Sequence, residues 1–385
     1  MNKTNSGRAS VFMLALGHGI TDLYANFLAS LLPFFESKFA LSKTMIGIMI
    51  SVIGVSGSMF QLVYGYLGDK WGRRLFLIPG PAIAGIFMSL IGLSPSFSLL
   101  ITFLLIGGMG VSAFHPHAAS AAGDAAKGKR DIGLAVFMAA GTVGYAVGPL
   151  AAVYLISSPL IGTARMPFAA IIGIVTSALL YKYAIPDDKH LKSGNSLKIL
   201  DIIKPRLKIL SLLCIIVVLR STTNIVYVNF LSLLIKQRGL SLMIGGWVLL
   251  LFSLSTAFGT FIGGYISNRI SRKSVLISSM LLAIPFLISL VFTKGEMFIV
   301  SLVLSGILVA CANPANVAMA QELMPEGAST ASSLMMGAGW GIAAIIAMFF
   351  GMIADLFGGN VVPAMLIAAF LPGIATIFTI SLPKK

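Results

Sequence analysis

The chain has 385 residues, 57% hydrophobic and only 10% charged, with a mean hydropathy of +0.98. Soluble domains carry roughly 25% charged residues, so the composition excludes a water-soluble globular protein. The formal charge of +15 is scattered through short breaks between apolar stretches, which argues against a nucleic-acid-binding patch.

A membrane-spanning helix needs about 20 apolar residues, and the charged breaks divide the chain into twelve such stretches. The predicted spans are 10–36, 43–68, 75–93, 97–122, 131–157, 165–185, 208–235, 242–267, 274–293, 297–321, 329–354 and 361–381. The fold class expected is therefore all-α integral membrane, with twelve transmembrane helices in two six-helix bundles. The first stretch holds polar groups and lacks a small-residue cleavage site, so it is expected to be a retained helix. With both termini placed in the cytoplasm, 20 of the 27 Lys and Arg residues fall in inner segments, as the positive-inside rule requires.

In the first helix His18, Asp22 and Asn26 recur at i, i+4 and i+8 and share one face. Ionisable groups inside a bilayer are functional candidates by default, and an imidazole beside a carboxylate can share or pass a proton. A satisfied structural hydrogen bond is the plainer alternative.

After the second helix comes Gly65-Tyr66-Leu67-Gly68-Asp69-Lys70-Trp71-Gly72-Arg73-Arg74. Its glycines permit a tight turn and close helix approach, and its acid can pair with basic residues near helix ends. Gly65, Asp69, Gly72, Arg73 and Arg74 are gating candidates, against the alternative of an ordinary basic loop.

The fourth helix contains Phe114-His115-Pro116-His117. Residues i and i+2 point in different directions on a helix, so the two histidines are not both expected to face the cavity, and His115 is favoured for proton coupling. Metal binding is not expected, since no third ligand is suitably spaced. The fifth helix carries Gly141, Gly144, Gly148 and Pro149, which suit close helix packing and a kink.

A polar stretch at the midpoint divides the chain into bundles 1–186 and 207–385, joined by a cytoplasmic linker, 187–206. In the seventh helix Arg220 is the one strongly basic group deep in an apolar segment, with Asn224 and Tyr227 on its face. It needs an anionic partner, either substrate or Asp22. Substrate-binding candidates are Asn26, Arg220, Asn224, Tyr227 and Asn313. Cys214 and Cys311 lie in apolar helices and read as small hydrophobes. No cofactor is implied.

The halves overlay at offsets near 199 residues. Gly65, Asp69, Arg73 and Arg74 fall on Gly264, Asn268, Arg272 and Lys273, and His115-Pro116 falls on Asn313-Pro314. Asn268 and Arg272 thereby join the gating candidates, Asn268 marking a weaker second latch.

The loop Gly65–Arg74 resembles the signature loop of the major facilitator superfamily, and Gly141 to Pro149 resembles a motif common in its proton-coupled exporters. Within that superfamily the chain is similar to the fosmidomycin-resistance branch. His18 and Asp22 match its His-x-x-x-Asp, and Phe114-His115-Pro116 matches its Phe-His-Pro-Glu. Gly148-Pro149-Leu150, Gln321–Pro325 and the run to Ala354-Asp355 extend the likeness over the whole chain. His117 stands where the branch has glutamate. The fourth helix lacks the arginine typical of general multidrug antiporters, which points the proton relay to His18, Asp22 and His115.

The resemblance implies a proton-driven exporter of small, anionic, drug-like organic compounds such as the phosphonate fosmidomycin, working by alternating access. The expected partners are substrate, protons and the lipid bilayer of a cytoplasmic (inner) membrane, with function as a monomer and no nucleic acid. The alternative is a proton-coupled uptake symporter for an organic anion or sugar derivative. A non-transporting receptor or enzyme is more remote, since no convergent nucleophile–base set is present.

Overall fold

The computed structural model describes residues 3–126, 130–157, 162–183, 203–325 and 328–382; the side chains of 3–8, 69, 130–132 and 328–329 lie outside the described set. The described chain is helical. Backbone polar groups in hydrocarbon must be satisfied within the segment itself, and twelve helices are long and apolar enough to cross a membrane. We label them α1 (Ala9–Phe39), α2 (Lys43–Gly68), α3 (Arg74–Leu93), α4 (Phe97–Ala125), α5 (Gly133–Ile156) and α6 (Gly162–Tyr183). The remainder are α7 (Lys204–Gln237), α8 (Leu242–Ser267), α9 (Arg272–Phe292), α10 (Gly295–Leu323), α11 (Thr330–Leu356) and α12 (Val361–Ile380).

The turns follow local chemistry. Ala40 ends α1 in the left-handed region at φ 50°, its N–H donating to Glu36 O. Gly72 takes φ 101° to close the turn after α2, its N–H donating to Gly68 O at 2.9 Å. Ser96 caps α4 by accepting from Leu99 N, and Asn360 caps α12 by accepting from Val362 N. Large apolar side chains such as Phe168, Phe261 and Ile377 remain exposed, as a lipid-facing surface requires.

The chain forms two compact units: Met1–Ala40, Val52–Lys192 and Ser241–Leu250 in the first, and Leu41–Ser51, Ser193–Leu240 and Leu251–Lys385 in the second. Most of the linker expected at 187–206 lies outside the described residues; Lys204–Arg206 form a helical turn that runs into α7. In the first unit α1 packs chiefly on α5 and α4, around Leu14, Leu77, Phe114, Phe137 and Leu180. In the second, α7 packs on α12 and α11, with Leu213, Ile216, Met280, Ala312 and Met335 in the core.

The second unit includes the first turns of α2, crossing α11 at close range. Ser51 Oγ donates to Ala344 O at 2.7 Å, and a Cβ at Gly47 or Gly351 would collide with the backbone of Met348 or Lys43. Asp355 completes the crossing. It accepts from Lys43 N and Thr44 N, both at 2.8 Å, and from Thr44 Oγ1 at 2.6 Å, placing a carboxylate at the positive N-terminus of α2.

Candidate proton and substrate sites

The first unit gathers three ionisable side chains. Asp22 Oδ1 lies 2.8 Å from His115 Nε2 and Asp22 Oδ2 lies 3.2 Å from His18 Nε2. His18 and Asp22 share a face of α1 because they are one turn apart, while His115 arrives from α4. The other ring nitrogens donate to backbone: His18 Nδ1 to Phe137 O at 2.8 Å, and His115 Nδ1 to Val111 O at 2.7 Å. His18 is buried at 4% exposure and stacks on Phe137, with ring centroids 3.9 Å apart.

The glycines of α5 make this arrangement fit. A Cβ at Gly141 would strike the His18 ring, at Gly144 the backbone of Gly19, and at Gly148 the backbone of Leu23. The motif is a contact surface for α1. Pro149 has no N–H, so the carbonyl of Tyr145 is left without its helical donor. Asn26 supplies one at 2.9 Å, which engages its amide in packing on α5.

His117 points elsewhere, as its position two residues on requires. It is 2% exposed, its Nε2 lies 2.9 Å from Tyr64 O, and its ring fills the space beside Gly68 and Phe76. In the signature loop, Gly68 and Gly72 carry the structural demand. A Cβ at Gly65 would meet nothing within 4 Å, so the close approach expected there is corrected. Arg73 donates to Ser120 Oγ at 2.9 Å and lies 3.5 Å from Asp124 at the end of α4. Arg74 lies over the Tyr181 ring. Asp69 belongs to the helical turn before Gly72, and its side chain lies outside the described residues.

The second unit repeats the arrangement. Arg272 ion-pairs with Glu322 at the end of α10, as Arg73 does with Asp124 at the end of α4. Lys273, the counterpart of Arg74, donates to Ile380 O at 2.7 Å. Asn268 lines a cavity of about 320 Å³ with Ser267, Ser271, Arg272 and Glu322. Tyr24 and Tyr227 are also counterparts, each fully buried. Tyr24 donates to Ala169 O at 2.6 Å, and Tyr227 to Leu287 O at 3.0 Å and Met365 O at 3.2 Å. Tyr227, expected to touch substrate, is fully buried and donates its hydroxyl proton to backbone carbonyls in helix packing.

Arg220 is 2% exposed. Nη2 donates to Ser221 Oγ at 3.1 Å, and Nε has no hydrogen-bond partner. Among the described residues no carboxylate pairs with it, and Asp22 gives both oxygens to histidines. Asn224 lies one turn away at 8% exposure. Asn313 Nδ2 is 3.5 Å from Thr260 Oγ1, while its Oδ1, like that of Asn316, is buried without a partner. Among the described residues, the second unit thus buries a guanidinium nitrogen and two amide oxygens that find no hydrogen-bond partner.

The ligand atoms of His18, Asp22 and His115 lie within 4.8 Å of one another, the kind of set that can hold a metal ion. The 2.8 Å separation of Asp22 Oδ1 from His115 Nε2, however, is a hydrogen-bond length. Two ligands each about 2.0–2.2 Å from one tetrahedral ion would stand farther apart. The spacing suits protons better.

A membrane carrier of two similar six-helix halves is the class these observations define. The family model described as Major Facilitator Superfamily matches residues 14–218 and 212–385, and the chain belongs to that superfamily of transporters. It is 28% identical over 372 residues to the fosmidomycin resistance protein of Escherichia coli (strain K12), covering 95% of this chain and 91% of that protein. An uncharacterized transporter of the same type from Bacillus subtilis (strain 168), YfnC, is 27% identical, covering 94% and 90%. The nucleoside transporter NupG superposes with a TM-score of 0.77 at 15% identity, covering 99% of each chain. A D-xylose-proton symporter gives 0.78 at 14% identity, covering 96% of each.

Proposed function

We propose that the chain is a proton-coupled antiporter of the cytoplasmic membrane, with both termini inside, that works as a monomer and exports small organic anions by alternating access. The observation that carries this reading is the pairing of Asp22 with both His18 and His115 inside membrane helices. Such a cluster is costly in hydrocarbon unless it does work, and imidazole changes charge near physiological pH. Arg220, buried with no carboxylate paired to it among the described residues, supplies the cation for an anionic substrate. The relative named for fosmidomycin resistance supports export of a phosphonate-like anion. Arg73–Asp124 and Arg272–Glu322 serve as paired latches of the two signature loops, with Asp69 a further latch residue of the first.

Uptake by symport would use the same proton site, and the likeness to a D-xylose-proton symporter keeps that reading in view. Accumulation of labelled fosmidomycin in cells expressing the protein separates the two. Export predicts less label than in control cells, and less again as the inward proton gradient is steepened. Label rising with expression would sink the export reading.

A further inference from the structure

We propose that His18, Asp22 and His115 form a single store for two exchangeable protons, each held between an imidazole Nε2 and a carboxylate oxygen of Asp22. A backbone carbonyl only accepts, so the contacts of His18 Nδ1 with Phe137 O at 2.8 Å and His115 Nδ1 with Val111 O at 2.7 Å each require the proton on Nδ1. A neutral imidazole has one N–H, so in both rings Nε2 is then a bare lone pair. Both Nε2 atoms face Asp22, at 3.2 and 2.8 Å, and an ionised carboxylate also offers only lone pairs.

Two acceptors at hydrogen-bond distance repel unless a proton lies between them. Each contact therefore holds one proton, whichever partner formally owns it. Protonating Asp22 satisfies one contact and leaves the other still in need. With one proton in each contact the site holds two protons and carries a formal charge of plus one. Releasing both leaves two neutral imidazoles and a carboxylate, a charge of minus one, with no other group changed.

Other helices packed on α1 leave this count intact. From α5, Tyr145 is the titratable group that feels the charge of Asp22. Both Nε2 contacts are made to Asp22 itself, so a phenol proton fills neither. Among the described residues the charged or titratable groups that contact Asp22 are His18 and His115, and none comes from α3 or α6.

The two protons also differ mechanically. His18–Asp22 lies within α1, whereas His115–Asp22 joins α4 to α1. Loss of the His115 proton removes the bond between the helices, and loss of the His18 proton does not. Protonation of the second contact is thereby tied to the packing of α1 on α4. For its use in transport this inference rests on the proton-coupled reading; the proton positions do not.

The test is nitrogen-15 NMR of the full-length protein in lipid, labelled at its four histidines, reading through one-bond coupling which ring nitrogen bears hydrogen as pH is raised. His18→Gln and His115→Gln assign the signals. Should either variant fail to fold, His117→Gln and His190→Gln assign the remaining pair by elimination. The expected result is two residues that carry protons on both nitrogens at low pH and lose only the Nε2 proton at high pH, keeping the Nδ1–H form. In Asp22→Asn both should keep Nδ1–H, because the two carbonyls that hold it are unchanged. A neutral form with hydrogen on Nε2 and a bare Nδ1, in either residue, overturns the proposal. So does a single histidine titrating in this manner. Transport that proved independent of protons would instead refute the function proposed above while leaving this spectrum unchanged.

Discussion

Asn26 donates to the carbonyl of Tyr145 at 2.9 Å, the carbonyl that Pro149 deprives of its helical donor. The same device recurs in the second unit, where Thr223 donates at 2.8 Å to Ala368 O, freed by Pro372. A proline in one helix thus creates an acceptor, and a polar side chain on its neighbour answers it. Interhelical hydrogen bonds in membranes average about 0.6 kcal/mol and reach about 1.7. Asn26→Ala should lower thermal stability by an amount in that range. In a double-mutant cycle with Pro149→Ala, which restores the helical N–H, the loss should shrink. Additive losses would mean that the bond contributes nothing.

Glycines of similar appearance should respond in opposite ways. Gly144→Ala drives a Cβ into the backbone of Gly19, and overpacking of this kind costs about 1–3 kcal/mol. Gly65→Ala enters open space within a helix, where alanine is favoured by about 0.5–1 kcal/mol. Thermal denaturation in detergent should show a fall for the first and no fall for the second.

The pairs Arg73–Asp124 and Arg272–Glu322 occupy equivalent places in the two units. Their acids are 55% and 48% exposed, and pairs so well solvated are worth about 0–1 kcal/mol. Asp124→Asn and Glu322→Gln should each change stability by less than about 1 kcal/mol. If these pairs act as latches, the same variants should alter transport rate. A rate equal to wild type in both would remove the latch role.

Arg220 is expected to trade stability for function. It is a buried cation with an unpartnered Nε, and replacing such a charge by an apolar side chain is often stabilising. Arg220→Met should raise the melting temperature without substrate and weaken binding of anions by about 10- to 100-fold, the equivalent of a lost charged hydrogen bond. Equal losses for neutral and anionic substrates would assign Arg220 a structural role.

Much of this architecture was legible in the sequence because bilayer thickness dictates the length of each apolar run. The repeat was legible too: Arg73 and Arg272 were matched by offset and prove to make equivalent ion pairs. The i, i+4 spacing placed His18 beside Asp22. What the spacing could not give was the register between helices, on which the remaining contacts depend. The carbonyl of Phe137 that sets the His18 ring, the packing duty of Tyr227 and the seat of Asp355 on Thr44 all arise where two helices cross, and Gly65 faces open space because no helix crosses there. Pro149 and Pro372 were signals available for such contacts, since a missing N–H announces a free carbonyl four residues earlier on the proline's own helix.

The central claim is that Asp22 couples substrate movement to protons. The most direct measurement is substrate-induced proton flux in proteoliposomes loaded with a pH-sensitive dye, using fosmidomycin with wild type and Asp22→Asn. The account predicts a proton signal in wild type that is lost in Asp22→Asn protein shown to be folded. Fosmidomycin flux of equal size and equal pH dependence in both would contradict it.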